Sequence, residues 1–341
     1  MAKRSFYIKE SELDDHQVLV LQRRVDKPSI VKGCAGSGKS ILALHRVKQI
    51  QDQNIGSFYF ILFTKALKQY MQDGIDSIGL NNDRIVYYQQ WKNMGAPGAD
   101  FIIIDETQDF SKEDIRLFQS SANKSLIMFG DSAQQIYRFR LDNPLTIEDI
   151  ASITTIPTYE LSYNHRLPKK IARLAEYISE SDDELEFRCK NEGNELPKIL
   201  KFNSLHEQFD KIIEIIKNRN FDDVGILFQK NSDVEYAKNY FESHGMEVEA
   251  KFNNSMDLDF DNDLPKLTTY HSSKGLQFEA VFIPDCECIY PDNQSALYVA
   301  ITRTYQSLYI MHSGNLSHFF DDIPSELYET SLTTSRTSRR L

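Results

Sequence analysis

Two groups of residues carry the types and spacing that chemistry requires. The first is "GCAGSGKS", residues 33–40, in which Gly33, Gly38, Lys39 and Ser40 fit G-x-x-x-x-G-K-[ST] without a gap. Glycines here, Gly36 among them, let backbone N–H groups turn inward toward phosphate oxygens. A helix opening behind the loop adds partial positive charge. Lys39 is expected to reach the β- and γ-phosphates of a nucleotide, and the Ser40 hydroxyl to ligate Mg²⁺. The second group is "FIIIDETQDF", residues 101–110. Four apolar residues end in Asp105 and Glu106, at what reads as the carboxyl edge of a strand, where open α/β sheets bind ligands. Asp105 is expected to hold Mg²⁺, directly or through water. Glu106 is expected to polarise an attacking water.

Such residues need a scaffold. The first half alternates short apolar strands (29–31, 58–63, 84–88, 101–105, 125–130) with helical patterns (39–51, 65–73, 112–121). The second half repeats the theme, with strands expected at 158–162, 198–202, 224–228, 267–270, 280–284 and 307–311. Its helices fit 168–180, 205–219, 232–243 and 294–303. Strands alternating with helices predict parallel sheets covered on both faces. The chain therefore reads as α/β, in two lobes, with the boundary placed in the Pro-containing stretch 140–157 and the lobes taken as 1–150 and 151–312. The remainder, 313–341, is expected to be a flexible tail.

Composition sets the outer limits. The 341 residues suffice for two domains, and 41% hydrophobic with 26% charged residues is a globular balance. The net charge of −11 argues against unspecific coating of nucleic acid, yet allows a local basic groove. The acidic stretches "ESDDELE" (180–186) and "DLDFDND" (257–263) read as solvated loops. No apolar run is long enough to cross a bilayer, and the basic N-terminus has no apolar stretch behind it, so a cytoplasmic protein is expected. The four cysteines show no disulfide or zinc spacing.

The motifs follow one another in a fixed order: "LDDHQ", "GCAGSGKS", "FTKAL", "DETQD", "GDSAQQIYRFR", "LSYNHR", "TYHSSKGLQF" and "YVAITR", between residues 13 and 303. In that order the chain resembles the UvrD/Rep branch of the superfamily 1 DNA helicases. The resemblance implies two RecA-like P-loop lobes with ATP and Mg²⁺ in the cleft between them. It implies that Gln17 reads adenine, that Gln134 senses the γ-phosphate and that Arg166 and Arg303 are arginine fingers from the second lobe. His165 stands where the family stacks Tyr on adenine. Gly275 and Gln277 belong to a nucleotide-contacting segment, Gln277 replacing a ribose-binding Glu. Phe63 and Phe139 correspond to base-stacking positions, Thr64, Thr269 and His271 to strand contacts, and Tyr137 lies beside them. Single-stranded DNA is the implied ligand.

Two departures shape the functional expectation. Relatives carry a helical insertion in each lobe, and here only "KNMGAPGAD" and a loop near 251–266 stand in those places. The segment "VYYQQW" (86–91) only loosely resembles a further strand-contact motif. The chain thus reads as a stripped ATP-driven single-strand translocase, completed by a protein partner such as a nuclease in repair or anti-phage defence. The alternatives are a switch that binds ATP and DNA without stepping, and a P-loop enzyme acting on a small molecule.

Overall fold

A computed structural model describes residues 6–136, 144–180, 184–253 and 255–332. The first lobe contains strands β1 (Ser29–Gly33), β2 (Phe58–Leu62), β3 (Ile85–Tyr87), β4 (Ala99–Ile104), β5 (Ala122–Gly130) and β6 (Thr158–Leu161). They form one sheet in the order β3-β2-β4-β5-β1-β6, with every pairing parallel. Its helices are α1 (Asp15–Leu21), α2 (Lys39–Asp52), α3 (Lys65–Tyr70), α4 (Gln72–Ser77), α5 (Tyr88–Asn93), α6 (Lys112–Ser121) and α7 (Ile147–Thr154). A short parallel pair follows, β7 (Asn164–Pro168) with β8 (Cys189–Asn191), together with α8 (Lys169–Ile178) and α9 (Leu185–Arg188). The second sheet comprises β9 (Lys198–Lys201), β10 (Val224–Phe228), β11 (Glu249–Ala250), β12 (Lys266–Thr269), β13 (Phe278–Ile283) and β14 (Thr304–His312), ordered β11-β12-β10-β13-β14-β9. It too is wholly parallel. Helices α10 (Leu205–Arg219), α11 (Asn231–Ser243) and α12 (Gln294–Ile301) complete this lobe.

Burial on both sheet faces explains the near-continuous apolar strands. In β1, Val31 faces the cluster around Leu42 and Val47 of α2, while its neighbour Ile30 faces the cluster with Phe118 and Ile150 of α6 and α7. The second lobe divides likewise between a cluster with α8 and α12 and one with α10 and α11. Local signals set the helix starts. Asp14 with Gln17, Ser111 with Asp114 and Thr146 with Asp149 form capping boxes at α1, α6 and α7.

Four expectations are corrected. The boundary at 150/151 falls inside α7, and 158–162 is not a second-lobe strand: β6 pairs with β1 as the edge of the first sheet. The helix expected at 65–73 is broken at Met71 into α3 and α4. "DLDFDND" is not a solvated loop, because Leu258 and Phe260 are buried in the second-lobe core. Residues 313–332 are not a free tail. Phe320 and Ile323 are buried, and the Ile199 N–H donates to the Glu329 carbonyl at 2.9 Å. The small, polar composition belongs to residues 331–341; the segment before it carries Leu316, Phe319, Phe320, Ile323, Leu327 and Tyr328. Among the described residues, no helix is long and apolar enough to cross a membrane.

Candidate functional site: a cleft between the lobes

The carboxyl ends of β1, β4 and β5 bring the first two motifs together. Gly36 and Gly38 take left-handed φ values of +74° and +87°. At Gly36 a side chain is excluded twice over: an added Cβ would lie 2.4 Å from Asn164 Oδ1 and 2.9 Å from Arg166 Cβ. The phosphate loop therefore touches the strand that carries Arg166, and the His165 N–H donates to the Gly36 carbonyl at 3.0 Å. The Lys39 ammonium donates to the Gly33 and Cys34 carbonyls at 2.7 and 3.0 Å and lies 3.9 Å from Asp131 Oδ2.

Ser40 and Asp105, distant in sequence, meet at 2.5 Å, the hydroxyl donating to the carboxylate. Burial, then the neighbouring Glu106 charge, push the Asp105 carboxyl up to about 7. A buried carboxylate lacking full counter-charge beside a hydroxyl is a hard-oxygen donor set suited to Mg²⁺. Glu106 holds a left-handed backbone (φ +56°), uncommon for a residue with a side chain. Burial raises its carboxyl, but the charges of Lys274 and Lys39 outweigh that and leave it below its ordinary value. The Gln108 amide donates to Glu106 Oε2 at 2.6 Å, and the Gln108 carbonyl oxygen Oε1 accepts from the Asp131 N–H at 2.9 Å.

The second lobe closes over these groups. Arg303 donates to Gln134 Oε1 at 2.5 Å, and Gln134 in turn donates to Asp131 Oδ2 at 2.6 Å. Arg166 donates to the Thr302 carbonyl at 2.9 Å. Burial, then the proximity of Arg166, lower the Arg303 guanidinium to about 9; burial also lowers Arg166.

Sequence reading missed Lys274 and Asp109. The Lys274 ammonium donates to Asp109 Oδ2 and to the Gln134 carbonyl, each at 2.5 Å, and lies 3.5 Å from Glu106 Oε2. Burial pushes Asp109 up to about 7, while Lys274, lowered by burial, is raised overall by Asp109 and Glu106. The first direction favours a neutral pair and the second a charged one. Two carboxylates share the one ammonium: Glu106 stays ionised against it, and burial leaves Asp109 as the carboxyl that releases its proton near neutrality. The available signal was the position of both residues inside quoted motifs, "DETQD" and "SSKGLQF". Buried polar atoms without a partner gather here as well: Ser37 Oγ, Thr107 Oγ1, Asp109 Oδ1, Asn164 Nδ2 and Arg166 Nε. Such orphans are costly unless a ligand satisfies them.

Gln17 and His165 lie at the rim. The Gln17 amide caps its own helix through Asp14 and donates to the Ser37 carbonyl at 3.0 Å. His165 Nε2 meets Asp14 Oδ2 at 2.5 Å. Gly275 and Gln277 meet α3: an added Cβ on Gly275 would lie 2.7 Å from Leu67, and the Tyr70 hydroxyl donates to the Gln277 carbonyl at 3.5 Å.

A second concavity, an open groove of about 930 Å³, also spans the lobes. Phe63, Thr64, Thr269 and His271 line it, as expected of one surface. Phe63 is half-buried, edge-on to Phe110 at 5.1 Å. Thr64 spends its hydroxyl as the α3 cap, accepting from the Leu67 N–H. Tyr87 and Tyr88 join the lining from the "VYYQQW" segment, with Lys65, Lys230 and Lys251. Tyr137 and Phe139 lie outside the described residues.

Comparison with known proteins matches two parts of the chain. Residues 29–210 match the viral superfamily 1 RNA helicase core domain, and residues 267–311 match the UvrD-like helicase C-terminal domain. The chain is 22% identical over 326 residues to "Putative ATP-dependent DNA helicase R568" of Acanthamoeba polyphaga mimivirus, covering 85% of this chain and 44% of that protein. It is 24% identical over 241 residues to "Probable DNA helicase" of Mycoplasma pneumoniae, covering 62% of this chain and 43% of that protein. The chain thus spans less than half the length of these two curated relatives. Among solved structures, arterivirus nonstructural protein 10 (helicase) superposes with a TM-score of 0.46 at 15% identity, over 84% of this chain and 60% of that one.

Proposed function

The chain belongs to the superfamily 1 helicases, and from that premise we propose that it is an ATPase driven by single-stranded DNA, a translocase that hydrolyses ATP between two RecA-like lobes. One observation carries this reading: Arg303 and Lys274 of the second lobe enter a buried network with Gln134, Asp131, Glu106 and Asp109 of the first. A group that must be contributed by the opposite lobe makes turnover depend on lobe closure, and so couples chemistry to movement.

In this reading the phosphate loop and Lys39 hold the β- and γ-phosphates. Ser40 and Asp105 would hold Mg²⁺, which when bound offsets phosphate charge. Glu106, kept ionised by Lys274, orients and deprotonates the attacking water. Arg303, with Arg166 beside it, balances charge on the transferring phosphoryl group, and Gln134 links that guanidinium to the first lobe. Gln17 and His165 read and stack the base. Gly275 and Gln277 border the nucleotide from the α3 side. The groove takes the strand, with Phe63, Tyr87 and Tyr88 as stacking surfaces and Thr64, Thr269 and His271 as backbone contacts.

The connections at 94–98 and 251–265 are short. They support strand tracking over unaided separation of long duplexes, with a partner such as a nuclease, in repair or defence, completing the work. Steady-state ATP hydrolysis with and without oligothymidylate tests the proposal. At least tenfold stimulation is expected, abolished by Glu106→Gln with nucleotide binding retained. Turnover indifferent to DNA and to an RNA of equal length overturns it. Stimulated turnover that fails to displace a protein block from the strand replaces the translocase with a switch.

A further inference from the structure

One lining residue of the groove holds an ion pair that the ATP chemistry does not use. Lys65 lines the groove directly after Phe63 and Thr64, and its ammonium lies 2.6 Å from Asp257 Oδ2. The two belong to different lobes: Lys65 opens α3, and Asp257 lies in the loop between β11 and β12. That loop is held in place. Leu258 and Phe260 are buried beside Asp257, and Phe260 packs edge-on against Tyr70 of α3 at 5.3 Å. The carboxylate is thus presented to Lys65 by an anchored segment.

A second cation sits close by. Lys251 lines the same groove, is half-buried, and makes no ion pair among the described residues. Burial lowers its ammonium, the Asp257 charge counters that, and the Lys65 charge adds to it. The three groups therefore share one field. A half-buried cation facing an open groove calls for an anion. Here one carboxylate serves two lysines, and it is bound to only one of them.

We propose that Lys65 and Lys251 form a seat for one backbone phosphodiester of a single strand, and that Asp257 is a resident carboxylate that the phosphate must displace from Lys65. The proposal rests on the reading of the groove as the strand path. Its physical content is competition. The phosphate gains Lys65 only by leaving Asp257 without its partner, and the freed carboxylate takes up a cation from solution. Strand affinity is thereby reduced and the apparent number of released counterions falls by about one. Because Lys65 and Asp257 come from opposite lobes, a bound strand also removes one of the ties between them.

Fluorescence anisotropy of labelled oligothymidylate, titrated over a range of salt concentrations, tests this. Asp257→Asn is expected to bind about two- to fivefold more tightly, the range that an exposed ion pair supports. Its log–log salt slope should steepen by about 0.7, one phosphate's worth on a single strand. Lys65→Ala and Lys251→Ala should each weaken binding, but only Lys251→Ala should flatten the slope, because Lys65→Ala loses the phosphate contact and the cation uptake by Asp257 together. In the Lys65→Ala background, Asp257→Asn should change affinity by less than about 1.5-fold. An oligonucleotide with one neutral methylphosphonate linkage per repeat should lose the gain. Wild-type strand binding with no gain in Asp257→Asn overturns the guard alone. A full gain that survives Lys65→Ala also overturns it, reducing Asp257 to general repulsion. No strand binding by any variant overturns the strand path itself. All three residues are partly exposed, so an unchanged melting temperature confirms that each variant is folded.

Discussion

Two lysine–aspartate contacts of nearly equal length bridge the lobes, and they sit in opposite environments. Lys274 meets Asp109 at 2.5 Å with side chains 2% and 0% exposed. Lys65 meets Asp257 at 2.6 Å with side chains 46% and 39% exposed. Distance does not separate them; burial does. In the cleft, an unpaired charge has no water to turn to, so the pair is rigid and costly to break. In the groove, water and salt compete for both partners, so the pair can be exchanged for a ligand at small cost. Under the proposed function, the buried pair suits the fixed geometry that catalysis needs, and the exposed pair suits the exchangeable contacts that movement along a strand needs.

The cleft should show the largest effects. Arg303→Ala is expected to lower kcat by about a thousandfold or more with a small change in KM, the range seen when a guanidinium is withdrawn from phosphoryl transfer. A loss below tenfold would remove Arg303 from the reaction and leave its bond to Gln134 as packing. Next comes the direct contrast between the pairs. Lys274→Met takes from buried Asp109 the cation it meets and leaves Glu106 only the charges of Lys39 and Arg303, and should destabilise the protein by about 3–5 kcal/mol in chemical denaturation. Lys65→Ala should stay within about 0.5 kcal/mol of wild type. Equal effects would erase the distinction drawn from burial. The smallest effect is a pH slope. Asp109 is pushed up to about 7 in the folded chain, against an ordinary 3.8. The folded state therefore holds its proton more tightly, and this group's contribution falls as pH rises from about 4 to about 7. Stability measured across that window should decline less steeply in Asp109→Asn than in wild type. Parallel slopes would show that Lys274 keeps Asp109 ionised throughout.

The same contrast explains what could be read in advance. The phosphate loop was legible because its function needs neighbouring residues: glycines to turn the backbone, then Lys39 and Ser40 at the start of a helix. The carboxyl end of β4 was legible for a similar reason, an apolar run stopping at two acids. The groove was only half legible. Phe63 and Thr269 stood in quoted motifs and Tyr87 and Tyr88 in a segment with only a loose resemblance to one, whereas Lys251 carried no signal beyond its residue type. An aromatic residue or a lysine looks the same in a core, on a surface or in a groove.

By itself the sequence determined the parallel α/β character, the succession of elements and the glycine-rich turn from β1 into α2. Each is written in periodicity or in short contiguous patterns. Tertiary structure decided which lobe owns β6, which residues beyond His312 pack, and which charges meet. Lys274 and Asp109 are 165 positions apart, and Lys65 and Asp257 are 192 apart. Nothing local marks either pair as a partnership. Whether a charge anchors a fold or waits for a ligand depends on how much water reaches it, and only the folded chain sets that.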